Sequence, residues 1–138
     1  MMMNFFGIPF AGSDICGFGG RTNPELCARW HAVGAFQPFS RNHNGYGEAP
    51  QEPYVFKDMI YENGVSYMDI MVDAIRTKYS LVRYYYTHLF LQSVYDGPAV
   101  YRPLFFDYPN DMNAYKNETH NVMIGDSLKL SILSDTLN

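Results

Sequence analysis

The chain has 138 residues, 47% of them apolar and 17% charged, with a formal net charge of −4. That balance suits a globular fold with a core, and the charge gives no electrostatic case for nucleic acid or an anionic membrane as partner. No run of about 18 apolar residues occurs, so no transmembrane helix is expected, and the opening residues lack the basic start and small-residue cleavage site of a secretory signal.

In chain order, Met1 to Phe6 reads as the last turn of a helix, with Gly7 as its stop. Ile8 to Ser13 reads as a short apolar strand that ends on Asp14, between Gly12 and Gly17. Asn23 followed by Pro24 is an N-cap with a first-turn proline. In the helix that follows, Leu26, Trp30 and Val33 share one face, with Cys27 beside them. Ala35 to Ser40 reads as the next strand, and it delivers Arg41, Asn42, His43 and Asn44. Gly45 to Tyr54, rich in Gly and Pro, reads as a loop.

From Val65 to Tyr95 apolar residues recur at three- and four-residue steps, from Met68 and Met71 to Leu89 and Phe90. That is long for one globular helix, which predicts a break near Lys78 to Leu81. Gly97-Pro98 ends it. Ala99 to Tyr108 then alternates loosely, and Asn121 to Leu133 is strand-like with a turn at Gly125-Asp126. The change of period predicts a new β layer, dividing the chain into residues 1–97 and 98–138. Both ends fall inside elements, so the chain reads as a fragment.

Two short strands that each deliver ionisable residues at their C-terminal ends, with a helix between, follow the way a parallel α/β barrel builds an active site. Asp14 either caps its turn or faces a site. Arg41 can pair with it if the strands are neighbours, which would hold the carboxylate charged and oriented. His43 belongs to a polar cluster at a strand end, a better site candidate than a lone histidine. Phe18 is either a loop anchor or a ring for a sugar to pack on. The many Tyr and Phe residues can line a sugar site, but they fill cores more often. Cys16 and Cys27 are either two buried thiols or a disulfide that implies an oxidising compartment. Asn117-Glu118-Thr119 is a glycosylation sequon that agrees with the second reading.

Other chemistries find no support. His31, His88 and His120 have no partners at metal-ligand spacing. Gly17-Phe18-Gly19-Gly20 lacks the lysine of a phosphate loop, and no Ser–His–Asp motif is recognisable. Neither a metal nor a cofactor is expected. Glu48, Glu52, Asp58 and Glu62 read as solvated loop residues.

Three phrases carry a resemblance: FGIPFAGSDICGF at residues 6–18, ELCARW at 25–30 and FQPFSRNHN at 36–44. They resemble glycoside hydrolase family 31, whose pattern reads FGIPYxGADICGF, ELCxRW and FYPFSRNHN. Ser13 stands for the usual Ala and Gln37 for the usual Tyr. The similarity continues through Arg76-Thr77-Lys78-Tyr79, Arg102-Pro103-Leu104-Phe105 and Met123-Ile124-Gly125-Asp126, so it spans essentially the whole chain. Arg83 stands where the family commonly has a proline.

The resemblance implies an α/β fold. Residues 1–97 would be strands seven and eight and the last helices of a (β/α)8 barrel, and residues 98–138 the first strands of a β-sandwich domain. His43 would hydrogen-bond sugar hydroxyls in the −1 subsite, Asp14 would support that subsite with Arg41 as partner, and Phe18 would stand at its rim. Cys16 and Cys27 resemble the short-loop disulfide of the lysosomal and intestinal members. The glucosidase II branch lacks these cysteines and reads Arg-Ala-His-Ala at the later motif, so Arg41-Asn42-His43-Asn44 favours the lysosomal or secreted branch. The implied activity is retaining hydrolysis of α-glucosides, with one Asp as nucleophile and another as acid/base. Neither the Trp-x-Asp-Met-Asn-Glu phrase of the nucleophile nor the Gly-Asp-Asn phrase of the acid/base occurs; Gly125-Asp126-Ser127 falls in the β region. The partners implied are an α-glucoside oligosaccharide and the remainder of the same polypeptide. The alternatives are another family 31 specificity (α-xylosidase or α-glucan lyase) or a catalytically dead binding or structural copy.

Overall fold

The computed structural model describes residues 1–116 and 120–133, so the sequon asparagine Asn117 lies outside the described residues. In chain order the elements are α1 (Met2–Phe5), β1 (Asp14–Ile15), α2 (Pro24–Gly34), β2 (Arg41–Asn42), α3 (Tyr67–Val94), β3 (Tyr101–Pro103), β4 (Asn121–Ile124) and β5 (Leu128–Ser131), with 3₁₀ turns at Pro53–Phe56, Leu104–Phe106 and Met112–Tyr115. Two compact units result: residues 12–82, and residues 1–11 with 83–138.

In residues 12–82, β1 and β2 pair in parallel, with Asp14 opposite Arg41 and Ile15 opposite Asn42. The strands are shorter and later than the apolar runs at 8–13 and 35–40 predict. Pro9 and Pro38 have no N–H to give a ladder. The end of α2 also continues as turns, with the N–H groups of Ala35, Phe36 and Gln37 donating to the carbonyls of His31, Val33 and Gly34. At Gly12 the two segments come so close that an added Cβ would lie 1.8 Å from the Phe39 carbonyl oxygen.

Helix α2 begins as its sequence dictates: Asn23 Oδ1 accepts the Leu26 N–H at 2.8 Å and Pro24 fills the first turn. Its buried face is Cys27, Ala28, His31 and Gly34, whereas Leu26 is exposed. This rotates the face predicted from Leu26, Trp30 and Val33. Small residues win because the helix lies hard against β1: a Cβ on Gly34 would stand 2.5 Å from Ile15 Cδ1. The core is Ile15, Cys16, Cys27, Ala28, Phe56 and Met71, flanked by Trp30, Tyr67 and Ile70. Burying a side chain such as Met71 contributes about 1.5–3 kcal/mol.

Helix α3 runs for 28 residues without the predicted break. No Pro or Gly interrupts it, and Arg83 keeps the backbone N–H that a proline lacks. Thr77 and Ser80 turn their hydroxyls back onto the carbonyls of Asp73 and Thr77, at 2.9 and 2.7 Å.

In the other unit, α1 closes as predicted. Gly7 has φ +75°, its N–H donates to Asn4 O, and the Ile8 N–H donates to Met3 O, which is a Schellman stop. Strands β3, β4 and β5 form an antiparallel sheet in that order, with Val122 and Ile124 fully buried. Arg102 is 4% exposed. It forks onto both Asp107 oxygens and also donates to the carbonyls of Ala99 and Gly125, so its burial is compensated. The predicted turn at Gly125 is present, with φ +59°. An added Cβ there would lie 2.5 Å from Tyr84 Oη, so crowding and the positive φ together favour glycine.

Candidate functional site

β1 and β2 set Asp14 opposite Arg41, the first residue of each strand. Arg41 Nε and Nη2 both donate to Asp14 Oδ1, at 2.9 and 2.6 Å. The guanidinium also stands 5.8 Å from the Phe39 ring centroid, within cation–π range. Beyond the strand ends, the rings of Phe18 and His43 lie 5.6 Å apart between centroids, tilted at 42°. Both residues are exposed. The touching rings offer an imidazole beside an apolar face, groups suited to a polyol with an apolar face.

The loop after β1 turns sharply. Cys16 has φ +74° and Gly17 φ +88°, and the Gly17 N–H donates back to Asp14 O at 3.1 Å. A non-glycine residue in this region costs energy that its surroundings must repay. Here the compensation is a disulfide from Cys16 to Cys27, buried in the core. It settles the choice between buried thiols and a bridge. His31 Nδ1–H donates to Cys27 O at 2.8 Å, and burial lowers the His31 pKa. Cys16, Cys27 and His31 cluster closely enough to suggest metal ligands, but joined sulfurs provide no thiolate.

Sequence reasoning missed Gln51 and the contacts of Asn42 and Glu48. Gln51 is buried and its side-chain amide reaches Ile15 O, Gly17 O and Asn42 Oδ1. Asn42 donates back to Gln51 O at 2.9 Å. Glu48, expected to be solvated, accepts the Gly20 N–H at 3.1 Å. A single polar residue in a Gly- and Pro-rich loop has no periodicity to announce burial.

Two of the departures from the family phrases also meet: Gln37 Oε1 accepts the Ser13 N–H at 3.0 Å. Lys78 donates to the carbonyls of Gln37 and Pro38, and burial lowers its pKa to about 8. A cavity of about 220 Å³ lies apart from these groups, among Glu25, Arg29, Tyr61 and Tyr67.

The TIM-barrel domain of glycosyl hydrolases family 31 matches residues 1–88. A lysosomal acid alpha-glucosidase of Tetrahymena pyriformis is 48% identical over 125 residues, covering 91% of this chain and 13% of the relative. The lysosomal alpha-glucosidase of Bos taurus is 42% identical over 115 residues, covering 83% of this chain and 11% of the relative. Among solved structures, the glucosidase II alpha subunit superposes with TM-score 0.84 at 29% identity, over 99% of this chain and 14% of that one. A family 31 alpha-glucosidase from Bacteroides thetaiotaomicron gives TM-score 0.80 at 31% identity, over 97% and 21%. The chain thus spans only about an eighth of the first curated relative, as its 13% share shows. On the match over residues 1–88 and these identities, the chain belongs to glycoside hydrolase family 31.

Proposed function

We propose that the full-length protein is a retaining α-glucosidase that releases terminal α-linked glucose from oligo- or polysaccharides. This segment supplies part of the −1 subsite. Residues 1–97 are read as strands seven and eight and the last helices of the barrel, and residues 98–138 as the start of the next β domain. The observation that carries the reading is the exposed Phe18–His43 ring contact just beyond two parallel strands that pair Asp14 with Arg41.

The chemistry follows from those groups. Phe18 packs against the apolar face of the sugar and excludes water from it. His43 hydrogen-bonds ring hydroxyls, and such bonds strengthen as positive charge develops at the anomeric centre. The Asp14 carboxylate, held by Arg41, keeps the strand end polar and oriented. The nucleophile and the acid/base come from the rest of the polypeptide. The reading places the protein in the lysosome or on the secretory route. Its support is the buried disulfide and the similarity to enzymes named lysosomal.

The test is the full-length protein on maltose, with the product anomer followed by NMR. Release of α-glucose first supports the reading. Activity confined to α-xylosides, elimination to an unsaturated sugar, or no turnover of any α-glucoside overturns it.

A further inference from the structure

Gln51 joins the two strand ends that carry the candidate site. It is 3% exposed. Its Nε2 lies 3.1 Å from Ile15 O and 3.2 Å from Gly17 O on the first strand and its turn, and 2.9 Å from Asn42 Oδ1 on the second. Its own carbonyl accepts from Asn42 Nδ2 at 2.9 Å and stands 3.6 Å from Cys27 Sγ of the disulfide. Gly17 immediately precedes Phe18, and Asn42 immediately precedes His43. One buried amide is therefore bonded next door to both rings. The loop after β2 is tied to the loop after β1 at two further points: the Gly45 N–H donates to Phe18 O at 2.7 Å, and the Gly20 N–H to Glu48 Oε1 at 3.1 Å.

We propose that Gln51 is a positioning residue. It fixes Phe18 and His43 relative to each other, so that a sugar laid against the touching pair meets both rings at once. The proposal rests on the α-glucosidase reading above. The chemistry calls for a neutral amide here, because two carbonyl oxygens and the Asn42 side-chain oxygen converge on one nitrogen. An acceptor in its place would face three acceptors. A displacement of about 1 Å among groups that orient a substrate can cost about 100-fold in rate.

The experiment compares wild-type and Gln51→Glu full-length enzyme on maltose, measuring kcat, KM and a thermal melt between about pH 4.5 and about pH 7.5. Glu has the shape of Gln but no N–H. Ionised, it repels the carbonyls; protonated, it donates one hydrogen bond, and burial among acceptors raises its pKa. Near pH 7 its kcat per folded enzyme should fall at least about tenfold. The ratio to wild type should recover several-fold in acid, where the carboxyl takes up a proton. A role confined to stability moves the melt but not kcat per folded enzyme. If Gln51→Glu does not fold, Gln51→Met removes the donor without adding charge, and it should lose kcat with no recovery in acid. A wild-type kcat at every pH, in whichever variant folds, overturns the proposal and leaves the glucosidase reading standing. Wild-type enzyme that turns over no α-glucoside overturns both.

Discussion

Arg41 donates twice to a single oxygen of Asp14, its direct partner in the parallel register of β1 and β2. The pair is less buried than its strand-end position alone implies: the Asp14 side chain is 20% exposed and the Arg41 side chain 49%. Breaking a buried pair costs about 3–5 kcal/mol, but this arginine side chain is half exposed and can be hydrated. Asp14→Asn in the full-length protein should therefore cost about 1–2 kcal/mol of stability. It should lower kcat/KM as well, because the strand end loses its held charge. A thermal melt beside kcat/KM on maltose checks both, and an unchanged melt would remove the pair from the fold's support.

His43→Ala should act on rate alone. The side chain is exposed and touches Phe18 instead of the core. Loss of a hydrogen bond that strengthens in the transition state costs about 2–4 kcal/mol, or about 30- to 1,000-fold in kcat/KM. The melt should stay at the wild-type temperature. A variant with wild-type kcat/KM would take His43 out of the subsite.

The disulfide between Cys16 and Cys27 closes a short loop, their sequence separation being 11. Such a closure contributes roughly 2–3 kcal/mol. Protein unfolded without reductant should yield no thiol from this pair, and Cys16→Ala with Cys27→Ala should melt below wild type. Two titratable thiols would contradict the bridge.

Lys78 gives a pH dependence with a definite sign. Burial lowers its pKa from 10.5 to about 8 in the folded state. Between those values the unfolded chain binds more protons than the folded one, so the contribution of Lys78 to stability rises with pH across that window. The melting temperature of wild type relative to Lys78→Met should therefore increase from about pH 7 to about pH 9.5. The shift should be modest, because the ammonium is only partly buried and donates to the Gln37 and Pro38 carbonyls at either pH. A difference that shrinks over this range would show that Lys78 is not desolvated.

Local signals in the sequence determined much of this protein. Asn23-Pro24 starts α2, Gly7 stops α1 and Gly125 turns the hairpin, because caps and positive φ depend on one or two residues. The apolar recurrence marked α3, and the phrases at 6–18 and 36–44 announced the family and the candidates Asp14, Phe18, Arg41 and His43. Tertiary structure decided what depends on a neighbour. An apolar run does not say where a strand begins to pair, so β1 and β2 formed later than their runs. A helix presents whichever face fits its partner, so small Ala28 and Gly34 displaced Leu26. Gln51 and Asn42 became a joint only once the fold brought two carbonyls and two amides together. A buried amide is stable when every donor finds an acceptor, and those acceptors lie up to 36 residues away along the chain.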